Sequence, residues 1–102
     1  MQTLTDHQGR AIRLTEERQA HILEHPEMQG QEKRIREVLA QPEFVVATPT
    51  DITVHVYGRF YETTPVTSKY LQVVVKLLSD DAFVLTAYYS SRPKKGRTVW
   101  PE

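Results

Sequence analysis

No cysteine occurs among the 102 residues, which excludes a disulfide framework, a thiolate zinc site and a cysteine nucleophile. No apolar run approaches the roughly 20 residues needed to span a bilayer. Met1 to Arg10 is polar throughout, so no signal peptide is expected, and the expected setting is cytoplasmic and soluble, without a membrane partner. Internal repeats and low-complexity segments are missing too. Neither sign of charge is in excess: 13 Lys/Arg balance 13 Asp/Glu, which argues against a protein that coats nucleic acid non-specifically. The balance hides an asymmetry. Residues 1–50 carry six Lys/Arg against eight Asp/Glu, and residues 51–102 carry seven against five. Arg92, Lys94, Lys95 and Arg97 stand together with no acid among them. Such a cluster suits phosphates, and it suits a solvated tail equally well.

What is present is organised around Tyr70 to Tyr89, Y-L-Q-V-V-V-K-L-L-S-D-D-A-F-V-L-T-A-Y-Y. Ser79-Asp80-Asp81 is turn chemistry inside the densest apolar run of the chain, so two antiparallel strands joined as a hairpin are expected. The alternation assigns faces. Leu71, Val73, Val75 and Leu77 share one side of the first strand, opposite Tyr70, Gln72, Val74 and Lys76. In the second strand Phe83, Leu85, Ala87 and Tyr89 oppose Val84, Thr86, Tyr88 and Ser90.

Upstream, Met1 to Leu14 reads as a short strand, a turn at Asp6-His7-Gln8-Gly9 and a returning strand. Thr15 is a good N-cap, with Glu16 and Glu17 in the first turn where the helix dipole favours acids. That helix should end near His25, because Pro26 disfavours helical geometry before it. A second helix is expected over about Gln31 to Ala40, with Ile35, Val38 and Leu39 on one stripe. Phe44–Ala47 and Ile52–Tyr61 read as strands, and Thr98-Val99-Trp100 as a last short one. Length and order predict one domain over 1–102, an α+β fold with two N-terminal helices packed on one face of an antiparallel sheet of four or more strands.

On that arrangement the opposite, wet face collects His55, Tyr57, Arg59 and Tyr61, then Tyr70, Gln72 and Lys76, then Thr86 and Tyr88. Antiparallel sheets often leave one face wet, but aromatics interleaved with cations also suit stacked bases and paired phosphates. His21 and His25 stand at i, i+4 and so share a helix face. The segment spells H-x-x-E-H, yet a peptidase site needs a third rigid ligand and a cleft that this chain has no length to build. A simple metal site from the two imidazoles is a weak alternative, so no metal and no cofactor are expected. Two imidazoles this close do not both protonate easily near neutral pH, which leaves one as a base and one as an acid. Metal-free cleavage of RNA needs that pair of roles.

The order of motifs carries a resemblance. H-I-x-x-H-P-E at His21 to Glu27 is followed by K-Y-L-x-V-V-V-K at Lys69 to Lys76, F-V-L-T-A-Y at Phe83 to Tyr88, and R-P-K-K-G at Arg92 to Gly96. Together these resemble small bacterial and phage proteins of the barnase–EndoU–colicin–RelE nuclease fold, in its phage-associated (PBECR) branch, over about His21 to Trp100. The resemblance implies a metal-independent, toxin-like endoribonuclease that leaves 2′,3′-cyclic phosphate ends. It implies His21, then His25, as acid/base groups and Thr86 and Tyr88 as hydroxyl contacts. The expected RNA-binding set is Tyr57, Arg59, Lys69, Lys76, Arg92, Lys94 and Lys95. RNA is the expected partner, with an antitoxin or another protein as a second. The zero net charge departs from many RNA-cleaving toxins and keeps open the alternative of a non-catalytic RNA- or protein-binding module on the same fold. A purely structural domain is the third reading.

Overall fold

Thr15 starts the first helix as its chemistry predicts, with its hydroxyl accepting from the Arg18 amide at 3.2 Å. Pro26 stops that helix and opens a 3₁₀ turn. Residues 1–101 are described by the computed structural model. In chain order they form β1 (Gln2–Thr5), β2 (Ala11–Leu14), α1 (Glu16–Leu23), the 3₁₀ turn (Pro26–Met28), α2 (Glu32–Ala40), β3 (Phe44–Ala47), β4 (Val54–Tyr61), β5 (Lys69–Leu77), β6 (Ala82–Ser90) and β7 (Arg97–Trp100). Seven strands make one sheet in the order β1-β2-β6-β5-β4-β3-β7. The hydrophobic hairpin supplies its centre. β4, β5 and β6 are consecutive antiparallel neighbours.

The core lies between the helices and one face of this sheet. Ile22 of α1, Met28 and the stripe Ile35, Val38 and Leu39 of α2 pack with Leu71, Val73 and Val75. Each such side chain stabilises the fold by about 1.5–3 kcal/mol relative to an exposed one. Among the described residues no helix is long and apolar enough to cross a membrane.

The expected fold class is corrected in two respects. The helices do not come first, because the β1–β2 hairpin precedes them, and the sheet is mixed because β2 runs parallel to β6. These are four-residue strands with a weak alternation signal, and their place follows from the edge that β6 leaves open. Arg13 secures the junction. It donates to both carboxylate oxygens of Asp81, at 2.9 and 2.7 Å, and its guanidinium lies 5.6 Å from the centre of the Phe83 ring.

The face assignments need correction as well. Cross-strand partners share a face, and β4 pairs Tyr57 with Val73, Arg59 with Leu71 and Tyr61 with Lys69. His55, Tyr57, Arg59 and Tyr61 therefore lie on the helix side, and Val54, Val56, Gly58 and Phe60 lie on the other. Tyr57, expected at an RNA-binding surface, is only 1% exposed. Its ring fills the core and its hydroxyl donates to Asp6 Oδ2 at 2.8 Å. Alternation could not choose between the faces of β4, because Val56 on the opposite side is buried too. In β6 a bulge between the Val74 and Val75 registers shifts the phase. Ala87 and Tyr89 face the helices as expected, but beyond the bulge Val84 and Ala82 take over from Leu85 and Phe83. One extra residue reverses every later side chain.

Candidate functional site

The face away from the helices forms a regular grid. One row runs Phe60–Tyr70–Ser90 across β4, β5 and β6, and the next runs Phe44–Gly58–Gln72–Tyr88 from β3 to β6. A third runs Val46–Val56–Val74–Thr86. Strand order forces the connection from β6 to β7 to pass β5, β4 and β3, and it does so over this face. Ser90 starts it, with its hydroxyl accepting from the Arg92 amide at 3.3 Å and donating to the Arg92 carbonyl at 3.0 Å. Gln72 anchors its middle. The Gln72 side chain donates to the Arg92 carbonyl at 3.2 Å and accepts from the Lys94 amide at 2.7 Å. Gly96 lets it land, since a Cβ there would overlap the Ala47 carbonyl oxygen.

This crossing segment forms one wall of an open cleft of about 790 Å³. Thr48, Pro49, Thr50 and Asp51 form the other wall, Tyr88 and Val54 contribute from the sheet, and Arg92, Lys94 and Lys95 line the segment's own side. These three cations make no ion pair among the described residues. Asp51 is the acid of the cleft, and it is already engaged. Lys76 donates to it at 2.8 Å and the Thr53 hydroxyl at 2.6 Å, which together hold its carboxyl well below the usual range. Burial pushes the Tyr88 phenol up, so Tyr88 stays a neutral hydroxyl at every physiological pH.

The expected site residues thus separate into two groups. Arg92, Lys94, Lys95 and Tyr88 meet at the cleft, with Thr86 on the same face and Lys76 there but committed to Asp51. On the helix side, Arg59 donates to the Gln41 carbonyl at 2.8 Å and lies 3.8 Å from Glu37, and Lys69 pairs with Tyr61. Tyr61 in turn donates to Glu37, and burial and that carboxylate hold its phenol protonated. His21 and His25 also belong to that side. Only His21 lies in α1, which buries Ile22 against the core; the helix ends at Leu23, and His25 is extended just before the 3₁₀ turn, with the two rings 6.4 Å apart and half-exposed. His21 Nδ1 lies 3.9 Å from Glu24 and His25 Nδ1 lies 4.0 Å from Glu27. The sheet therefore stands between the histidine pair and the basic cleft.

Two features escaped the sequence reading. One is an aromatic cluster beside the crossing segment, where the Tyr70 ring sits 6.0 Å from Phe44 and 5.2 Å from Phe60. Gly58 makes room for it, since a Cβ there would fall inside the Phe44 ring. A glycine in mid-strand is itself a signal of such close approach. The other is a polar cluster under the first turn. Buried Asp6 accepts from Tyr57 and from the amides of Gln8 and Arg10. The His7 ring packs against Trp100 at 4.8 Å and Tyr57 at 5.8 Å, with both ring nitrogens buried and without partners among the described residues. No signal in the sequence pairs Asp6 with a tyrosine 51 residues away. No group of three or more His, Asp or Glu among the described residues is arranged to hold a metal ion. No protein-family model, curated protein or solved structure matches this chain.

Proposed function

We propose that this chain is an RNA-binding module that takes the phosphate backbone in the cleft of Arg92, Lys94 and Lys95. The observation that carries the reading is the double hydrogen bond from Gln72 to the backbone of Arg92 and Lys94. It holds three unpaired cations on one wall before any ligand arrives. A preordered loop loses less freedom on binding than a free tail does. Tyr88 and Thr50 add neutral hydroxyls across the same cleft, the mixture of donors that phosphate and ribose oxygens accept. The resemblance to the phage-associated branch of the nuclease fold supports RNA as the ligand. Cleavage by His21 and His25 is not part of the proposal for this cleft, because an acid or base must reach within hydrogen-bond distance of the reacting oxygens, and a sheet intervenes.

A salt series tests it. Binding of a fluorescein-labelled RNA followed by anisotropy should weaken as salt rises, and Lys94→Ala and Lys95→Ala should each lower the salt slope by up to about one unit per lost phosphate contact. Thermal stability should hold, since exposed charges contribute little to folding. Affinity that ignores both salt and these substitutions would reduce the segment to a solvated strap.

A further inference from the structure

We infer that the aromatic cluster of Phe44, Phe60 and Tyr70 is a stacking platform for unpaired bases, so that the ligand is single-stranded. The inference rests on the phosphate-binding reading of the cleft and adds to it the ligand's class. Tyr70 and Gln72 are successive residues on the same side of β5, about 7 Å apart along the strand. Gln72 in turn holds the Lys94 amide at 2.7 Å. The platform and the cations are thus neighbours on one face, with rings on one side of the crossing segment and the cleft on the other. A backbone lying along Arg92–Lys95 would present its bases to the rings.

Phe60 gives the cluster its access, with Phe44 and Tyr70 half-buried beside it. Phe60 is 39% exposed and contributes to no part of the helix-side core. A buried cross-strand pair would account for contact between Phe60 and Tyr70, but not for leaving the phenylalanine in water on the face that carries the basic segment. Glu43 borders the platform at its outer side, accepting from the Phe60 amide at 2.8 Å. That carboxylate repels phosphate and directs the backbone toward the basic segment. Stacked aromatics tolerate any base, because every base has a π-face. A duplex, with its bases already stacked and paired, has none to offer.

The experiment compares one labelled RNA strand with the same strand annealed to its complement, at fixed salt, on the wild-type protein and on Phe60→Leu/Tyr70→Leu. Leucine keeps apolar area, and circular dichroism and the melting temperature confirm folding. A 2-aminopurine placed in the single strand reads stacking directly on the wild-type protein, without any variant. The single strand should bind tighter than the duplex, 2-aminopurine fluorescence should be quenched on binding, and the double variant should lose roughly 5- to 150-fold in affinity, the worth of about one stacked base. The salt slope should stay at its wild-type value. Equal affinity for strand and duplex, or unchanged fluorescence with an unaffected variant, overturns the platform while leaving the phosphate cleft standing if the salt slope persists. No affinity for either RNA overturns both readings together.

Discussion

Gln72 and Lys94 are joined by a hydrogen bond of 2.7 Å between a buried side-chain carbonyl and a main-chain amide. Both ends of the Gln72 amide are used, and the residue is 1% exposed at the centre of the sheet. A polar side chain so deeply buried is tolerated only when its hydrogen bonds are made. Gln72→Leu should therefore cost about 1–3 kcal/mol by leaving the Lys94 amide without its partner and the Arg92 carbonyl with the Ser90 hydroxyl alone. It should also loosen Ser91–Gly96, read as faster limited proteolysis after Lys94 or Lys95, and weaken RNA binding without removing a charge. A variant that melts lower yet binds RNA as before would separate stability from preordering and sink the second half of the prediction.

Gly96 gives an independent handle on the same segment. A Cβ there would meet the Ala47 carbonyl oxygen, which belongs to the backbone of a strand paired on both sides and has no room to yield. Gly96→Ala should lift the crossing segment from the sheet and cost about 1–3 kcal/mol. Gly58→Ala meets a side chain instead, the Phe44 ring. That ring can swing aside, so the loss of stability should be smaller and the loss of single-strand preference larger. Thermal melts of the two variants, beside their binding curves, check the ordering.

Much of this architecture can be read from the residues. The central hairpin, the N-cap at Thr15 and the stripe of Ile35, Val38 and Leu39 all follow from local periodicity and capping chemistry, which need no knowledge of distant partners. What local patterns do not contain is the choice of face. In β4 both alternating sets are buried, Tyr57 by the core and Val56 on the side crossed by the β6–β7 connection. The bulge in β6 has no flag in F-V-L-T-A-Y, since one extra residue in a uniformly apolar run leaves the composition unchanged. The basic run was legible as a candidate site, whereas its anchoring by Gln72 depends on a crossover between β6 and β7, strands consecutive in the chain that the sheet order sets three strands apart. Site residues on the two sides of the sheet were grouped together for the same reason.

His55 links pH to stability. Burial, then the nearby guanidinium groups of Arg10 and Arg97, push its imidazole below the ordinary value. The unfolded chain consequently takes up the proton first as the solution is acidified. The contribution of His55 is fully present above the ordinary histidine pKa of about 6.5 and is lost as pH falls below it. His55→Asn removes the titration. Its melting temperature should fall less than that of the wild type between about pH 7.5 and pH 5.5, a window that brackets the ordinary pKa. Parallel pH dependences in the two proteins would assign the acid sensitivity elsewhere.

The histidine pair supplies the sharpest division between binding and cleavage. His21 and His25 stand on the helix side, with rings 6.4 Å apart and carboxylates of Glu24 and Glu27 beside them, while Arg92, Lys94 and Lys95 line the cleft on the opposite face of the sheet. A positioned acid or base contributes about 10²- to 10⁴-fold to a rate, but only at an oxygen it can touch. His21→Ala and His25→Ala should therefore leave RNA affinity and its salt slope at wild-type values. Total RNA incubated with the wild-type protein in EDTA should come through uncut, read by gel and by end analysis. If fragments with 2′,3′-cyclic phosphate and 5′-hydroxyl ends did form and vanished in His21→Ala, the reacting phosphate would have to lie on the helix side. The 2′-oxygen is the nucleophile in that chemistry, so a 2′-deoxy strand would bind and survive. That outcome would move the site from the basic cleft to the helix face.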